Sequence, residues 1–134
     1  MKKRRELKTR EEALMNFLWK KAEPMTPNEM ASELSEEGWS NVTVYKIVQA
    51  LSEEGYLEID SFEKAVKTYA RRLVPSITKE EYYAGLLINK GFGSDAIAEL
   101  TASFIGANKL KEKDKNQKVI SKLEEVINQL KGEK

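Results

Sequence analysis

Hydrophobic residues recur at the spacing of one helix face in three short stretches near the start of the chain. The first stretch covers residues 10–21, the second begins at Pro27, and the third covers residues 41–54. Gly38 and Gly55 are placed to end the second and third helices, because glycine readily adopts the left-handed conformation of a helix end. The pattern predicts three short helices with tight connections. The positions expected to face inward are Leu14, Phe17, Leu18, Met30, Ala31, Leu34, Val44, Ile47, Val48 and Leu51.

Three helix starts carry the same capping signal, a Thr followed three residues later by Glu. In such a capping box the two side chains accept hydrogen bonds from backbone N–H groups that the helix leaves free. We therefore expect a helix to begin beside each of these threonines, and Ser40 to cap the third helix. The three pairs are Thr9 with Glu12, Thr26 with Glu29, and Thr78 with Glu81.

The hydrophobic period changes after Gly55 to the alternation of a β-strand. Residues 57–62 alternate in this way, a second β-like run covers residues 66–74, and residues 63–65 provide the turn between them. Three helices followed by a β-hairpin predict a mainly α fold, the winged helix-turn-helix, in which the hairpin is the wing.

Pro75 marks a boundary, after which the pattern predicts helices over residues 79–90, 95–105 and 114–131. The last of these carries a heptad-like apolar seam of under two repeats, which is too short to be stable alone. We therefore expect a DNA-binding domain over residues 1–75 and a helical dimerisation region over residues 76–134. The alternative is that the seam packs on helices of its own chain. The residues assigned to the dimer contact are Leu86, Leu87, Phe104, Ile120, Leu123, Ile127 and Leu130.

The chain has 134 residues and contains neither His nor Cys. These absences exclude disulfides, thiolate nucleophiles, imidazole bases and zinc sites with ordinary nitrogen or sulfur ligands. We therefore predict a protein that is not an enzyme and that needs no cofactor and no metal. No apolar run approaches the roughly 20 residues of a membrane span, so we expect no membrane partner and a cytoplasmic location.

The net charge of +1 hides an uneven distribution along the sequence. Residues 1–10 contain six basic residues and one acidic, residues 11–63 contain three basic and twelve acidic, and residues 64–75 contain four basic and no acidic. A basic arm and a basic wing therefore flank an acidic body. Those are positions from which a winged helix contacts backbone phosphates, although ordinary solvating charge is the alternative for either cluster alone.

The third helix is where base sequence would be read, because its outward residues suit base edges and phosphates. Acids return at Glu53 and Glu54 on the last turn, where we expect them to face away from a groove entered by the N-terminal half. On the second strand Arg71 and Tyr69 are two residues apart, so they share one face of the strand. The sequence leaves open whether Arg71 or Arg72 points outward. The expected DNA contacts are Ser40, Asn41, Val42, Thr43, Tyr45, Lys46, Gln49, Lys64, Lys67, Arg71, Arg72 and Arg10.

Several segments together resemble the BlaI/MecI-type penicillinase repressors: residues 11–19, 25–29, 39–44, 51–57 and 69–82. The most specific pieces are Leu18-Trp19, which ends the first helix, and the Trp-Ser-x-x-Thr entry to the third helix, from Trp39 to Thr43. The resemblance covers about residues 7–83 well and the remainder in helix pattern only. It implies a homodimeric bacterial repressor that binds a palindromic double-stranded DNA operator through its winged helix and dimerises through C-terminal helices.

The sequence departs from that family at identifiable positions. Family members often carry basic residues late in the third helix, where this chain has Ala50, Glu53 and Glu54. In the β-lactam-responsive members a regulatory protease cuts an Asn-Phe bond in a C-terminal helix, and the nearest match here is Ser103-Phe104. The alternative function is a winged-helix protein-interaction module without DNA binding, which the acidic body favours.

Overall fold

Three helices, a β-hairpin and a fourth helix follow one another in the first part of the computed structural model, which describes residues 5–64, 67–108 and 113–132. The chain divides into two compact units, Met1–Lys90 and Gly91–Lys134. The predicted winged helix-turn-helix is confirmed. The elements of the first unit are α1 (Thr9–Lys21), α2 (Pro27–Leu34), α3 (Asn41–Glu53), β1 (Leu57–Lys64), β2 (Tyr69–Pro75) and α4 (Lys79–Asn89).

Hydrogen bonds at the helix starts confirm two of the three predicted capping boxes. At α2 the Glu29 N–H donates to Thr26 Oγ1 over 3.1 Å, and the Thr26 N–H donates to Glu29 Oε1 over 2.9 Å. The box at the start of α4 has the same form. The predicted cap at Thr9 is wrong by one residue: Thr9 lies inside α1, and the N–H of Lys8 donates to Glu11 Oε1 over 2.8 Å.

The core of the first unit is formed by the apolar faces that the periodicity predicts. Every predicted inward position is buried except Phe17 and Ile47, which are partly buried against the same cluster. Met15 on α1 and Met25 before α2 join this core, although the helix pattern did not single them out. Gly55 adopts a φ of 83° after α3, as expected where a helix ends in the left-handed conformation. The end predicted for the second helix is wrong: α2 ends at Leu34, and Gly38, with a φ of 86°, ends the 3-10 turn Ser35–Glu37 that follows it.

The hairpin pairs β1 with β2 in antiparallel register, interrupted by an irregularity between Ile59 and Ser61. A β-bridge joins Leu73 of β2 to Met25 through two backbone hydrogen bonds of 2.8 and 3.2 Å, so the wing is also tied to the segment before α2. The predicted turn residue Ala65 and the predicted strand start at Val66 lie outside the described residues.

The fourth helix packs on the winged helix through aromatic side chains. Tyr82 is buried, with ring centroids 5.9 Å from Trp19, 5.8 Å from Tyr56 and 5.0 Å from Tyr83. Its hydroxyl accepts a hydrogen bond of 2.9 Å from the Leu7 N–H, and burial raises the pKa of Tyr82. The first compact unit therefore extends to residue 90, beyond the domain boundary expected at residue 75. The division into a DNA-binding and a dimerisation region stays a prediction.

The second unit contains two α-helices in its described residues, α5 (Ile97–Asn108) and α6 (Lys113–Leu130). Both correspond to predicted helices, and a short 3-10 turn over Ser94–Ala96 precedes α5. Part of the predicted linker, residues 109–112, lies outside the described residues. Along α6 the apolar seam is half-buried at Leu123 and exposed at Ile120, Ile127 and Leu130.

Candidate nucleic-acid interface

The start of α3 is fixed by its capping residue. The Thr43 N–H donates to Ser40 Oγ over 3.2 Å, and the Ser40 hydroxyl donates to Thr43 Oγ1 over 2.8 Å. Both side chains named as DNA contacts are thus engaged with each other at the helix entry. This local network holds the first turn of α3, on which the exposed Asn41 also lies, in a defined conformation.

One exposed stripe runs along α3 opposite its buried face. Val44, Val48 and Leu51 are buried, whereas Val42 is 61% exposed and Tyr45 is 41% exposed. A side chain that faces solvent at these positions can reach into a groove, because residues three and four apart lie on one helix face. Lys46 and Gln49 continue the stripe and are also exposed.

Tyr45 is held by a residue that the sequence did not point to. Its hydroxyl donates a hydrogen bond to Asn28 Oδ1, which lies in the first turn of α2. The contact joins the two helices of the helix-turn-helix at the exposed surface. Nothing in the local sequence pattern signals it, since the two residues are 17 positions apart and each alone is an ordinary polar surface residue.

Glu53 lies on the α3 stripe, contrary to the expectation that it faces away from the groove side. The Gln49 Nε2 group donates to Glu53 Oε1 over 3.2 Å, which requires the two side chains to share one helix face. Because an ionised carboxylate only accepts hydrogen bonds, this contact directs the amide nitrogen of Gln49 toward Glu53. Glu54 does point elsewhere, and its carboxylate lies 3.4 Å from Arg5.

The two arginines of β2 lie on opposite faces of the wing. Arg71 is exposed and pairs across the hairpin with Phe62, on the face shared by Tyr69. Arg72 pairs across with Ser61, and its guanidinium lies 3.3 Å from the carboxylate of Glu63. Arg71 is therefore the outward arginine with no ion pair in the described structure, and Arg72 is partly neutralised.

A second carboxylate also lies near Arg72. The Thr26 N–H holds the pKa of Glu29 below its usual range, and the positive charge of Arg72 adds to that effect. The remaining wing cations, Lys64 and Lys67, are exposed. Lys64, Lys67 and Arg71 are therefore exposed and form no ion pair with the residues that the structure describes, whereas Arg72 lies among acids.

The basic N-terminal segment is used partly for structure. Arg5 donates two hydrogen bonds to the buried carboxylate of Glu11, over 2.7 and 2.6 Å. Arg10 is exposed and lies over the ring of Trp39, with its guanidinium carbon 5.1 Å from the centroid, which is a cation–π contact. The predicted basic arm before Arg5 lies outside the described residues.

The residues assigned to the dimer contact fall into two groups. On α4, Leu86 and Leu87 are half-buried, and Leu86 packs against the core of the first unit. The others lie in the second unit, where Leu123 is half-buried and the remaining four are exposed, from 45% at Ile120 to 68% at Leu130. Ser103-Phe104, the nearest match to a protease-sensitive bond, lies within α5.

Within residues 5–64, 67–108 and 113–132, no group of three or more acidic side chains could hold a metal ion. No helix in this part of the chain is long and apolar enough to span a membrane.

The fold and the exposed surface together define a winged-helix protein with an exposed stripe on α3 and a basic wing. The chain belongs to the penicillinase repressor family, whose profile matches residues 7–129. It is therefore a DNA-binding transcriptional regulator. Among solved structures, the chain is similar to Staphylococcus aureus MarR in complex with salicylate and kanamycin, with 16% identity, a TM-score of 0.43, and coverage of 96% of this chain and 76% of that one. The comparison with curated proteins gave no match.

Proposed function

We propose that the protein is a repressor that binds a palindromic DNA operator as a homodimer, with α3 in the major groove and the wing on the flanking backbone. The observation that carries the proposal is the exposed α3 stripe, on which no acid precedes Glu53. Asn41, Thr43, Lys46 and Gln49 would contact bases or phosphates there. Lys64, Lys67 and Arg71 would hold phosphates beside it, since each is exposed and cationic.

The DNA interaction is tested by titrating the protein against a labelled duplex taken from the DNA upstream of its own gene. We expect the affinity to fall steeply with salt, because phosphate contacts release counterions. Lys46→Ala should weaken binding by about 1–3 kcal/mol, as loss of one base or phosphate contact does. Lys118→Ala, an exposed lysine of α6, is the matched control and should bind like the parent.

The second candidate function is a winged-helix module that binds a protein. Glu53 favours it, because a carboxylate on the α3 stripe repels phosphates. Absence of binding to any duplex at low salt would support this module and refute the repressor. Unchanged affinity of Lys46→Ala together with salt-independent binding would also refute the proposed use of α3.

The homodimer is supported by the open apolar seam of α6. Sedimentation of the full chain at micromolar concentration should give the mass of a dimer, and Ile127→Glu should shift it toward the monomer because a charge would be placed in the contact. A monomer in the parent protein would refute the homodimer. A regulatory protease acting at Ser103-Phe104 would have to unwind α5 around that bond, because a helical backbone is hydrogen-bonded internally.

A further inference from the structure

Glu53 lies where neither helix stability nor phosphate binding favours a negative charge. It closes the last turn of α3, where an acid opposes the helix dipole, and it lies on the exposed stripe, where a carboxylate repels phosphates. Glu54 beside it is compensated by Arg5, whereas Glu53 forms no ion pair with any residue that the structure describes. Its hydrogen-bond partner is Gln49. The role of Glu53 is therefore to be found in what it does to Gln49.

The side-chain amide of Gln49 has a donor end and an acceptor end, and Glu53 decides which way they point. Gln49 Nε2 donates to Glu53 Oε1 over 3.2 Å. The reverse orientation would bring the Gln49 Oε1 atom against an ionised carboxylate, and neither oxygen carries a proton to donate. Glu53 lies one turn toward the C-terminus, so Oε1 lies on the side of the amide that faces the N-terminal half of α3. Gln49 is exposed, and its Oε1 atom accepts no hydrogen bond from the described residues.

Bases differ in what they offer to such an acceptor in the major groove. Adenine presents its N6 amino group and cytosine its N4 amino group, whereas guanine and thymine present acceptors at these positions. The second Nε2 hydrogen of Gln49 can also donate to adenine N7, because Glu53 uses only one of the two. Guanine would place its N7 and O6 acceptors against the Gln49 oxygen. The direction of the amide therefore favours a base with an amino group in the major groove.

We propose that Glu53 is a specificity-determining positioning residue, which holds the Gln49 amide so that α3 reads a base with an amino group in the major groove, adenine or cytosine. This inference rests on the proposed DNA-binding function and adds a base preference to it. The charge of Glu53 acts in the same direction, because an acid near the backbone weakens binding wherever Gln49 meets no amino group. Glu53 thus lowers the affinity for DNA in general and raises the discrimination between sites.

The first step of the test locates the base pair that Gln49 reads. The full chain is titrated against duplexes from the DNA upstream of its gene, in which each base pair is replaced in turn by the other three. Gln49→Ala should lose the discrimination of the parent at the base pair in question. There the parent should bind the best base about 5- to 150-fold more tightly than a replacement, which is the usual cost of one mismatched pair.

Base analogues at that pair then show which chemical group is read. Purine in place of adenine, or 2-pyrimidinone in place of cytosine, deletes the amino group, and the parent should lose most of its preference for the site. The analogue that has this effect identifies the base as adenine or cytosine. Glu53→Ala should respond less to the same deletion, by about 2- to 150-fold, the range of coupling between groups in contact. Its affinity for duplexes with the wrong base should rise, because a charge that repels phosphates is removed.

Two further variants separate the hydrogen bond of Glu53 from its charge. Glu54→Ala removes the same charge one residue away, off the stripe, and should keep the base preference of the parent. Glu53→Gln keeps an oxygen that can accept from Gln49, so it should retain more of the preference than Glu53→Ala does. Glu53 and Gln49 are exposed, so melting temperatures of the variants at these two positions should match that of the parent and exclude misfolding as the cause.

The outcomes separate this inference from the proposed function. Failure of the parent protein to bind any duplex at low salt would overturn both. Binding by the parent with no base pair at which Gln49→Ala changes the discrimination would overturn only the role of Glu53. Amino-group deletions that affect the parent and Glu53→Ala equally would also overturn it. So would a preference that follows guanine N7, shown by a loss of affinity for 7-deazaguanine at that pair, because the base would then present an acceptor to Gln49.

Discussion

Two adjacent arginines on β2 allow a direct test of how the wing meets DNA. Arg71 is exposed on the face of the wing that also carries Phe62 and Tyr69, whereas Arg72 lies on the other face with its guanidinium 3.3 Å from Glu63. The residues are identical and neighbouring, so their replacement changes composition and net charge equally. We expect Arg71→Ala to weaken DNA binding far more than Arg72→Ala.

The expected size follows from the charge that each side chain can offer to a phosphate. One phosphate contact contributes about 0.9 to the slope of log affinity against log salt, which is about 3.5-fold in affinity between roughly 50 and 200 mM salt. Arg71→Ala should reduce the slope by about that amount and cost about 1–3 kcal/mol of binding free energy. Glu63 already offsets the charge of Arg72, in an exposed ion pair that contributes about 0–1 kcal/mol. Arg72→Ala should therefore reduce the salt slope by less than about half of the reduction expected for Arg71→Ala.

Fluorescence anisotropy of a labelled upstream duplex, titrated at four salt concentrations, measures both quantities. Glu63→Gln is the informative control, because it frees Arg72 and should raise the affinity and steepen its salt dependence. Equal losses for the two arginine variants, or a larger loss for Arg72→Ala, would refute the assignment of the wing faces.

Other expected results concern the stability of the first unit. Arg5→Ala should lower the free energy of unfolding in urea by about 1–3 kcal/mol because Glu11 stays buried without its partner, whereas Glu54→Ala, which breaks a more exposed pair, should cost about 0–1 kcal/mol. The hydrogen bonds from Arg5 hold the pKa of Glu11 below its usual range. This stabilisation is therefore present above the unfolded-state pKa of Glu11 and is lost as the pH falls through its lower folded-state pKa. The free energies of unfolding of the parent and of Arg5→Ala should therefore converge in acid. A difference between them that stays constant down to the lowest pH would contradict the reasoning. Tyr82→Phe should cost about 1–3 kcal/mol because the buried N–H of Leu7 loses its acceptor, and unchanged stability in thermal unfolding would show that this hydrogen bond contributes little.

The helices and the wing could be predicted from the sequence because their signals are local. The apolar period of α3 and the cap at Ser40 lie within a few residues of each other, and both determined the element correctly. That Arg71 and Tyr69 lie on the same face of β2 likewise followed from the alternation of side chains along a single strand. Local geometry therefore sufficed for the elements of the fold and for most of the exposed α3 residues, although Thr43 is half-buried.

The partners of polar side chains could not be predicted in the same way. The contact between Tyr45 and Asn28 and that between Arg5 and Glu54 join positions distant in sequence, and only tertiary packing brings them together. The sequence predicts that Glu53 faces away, because the N-terminal half of α3 is the part expected to enter the groove. Its hydrogen bond with Gln49, four residues earlier, places it on the same stripe.

The segment before α1 connects elements that are far apart along the chain. The carbonyl of Arg5 accepts a hydrogen bond from the Tyr56 hydroxyl just after α3, and the N–H of Leu7 donates to Tyr82 on α4. Residues 5–7 therefore link the end of α3 to α4 through two hydrogen bonds between positions distant in sequence. A fragment of the first unit that starts at Lys8 would lack both hydrogen bonds. Any excised DNA-binding fragment should therefore retain Arg5, and a spacer should separate a purification tag from this residue.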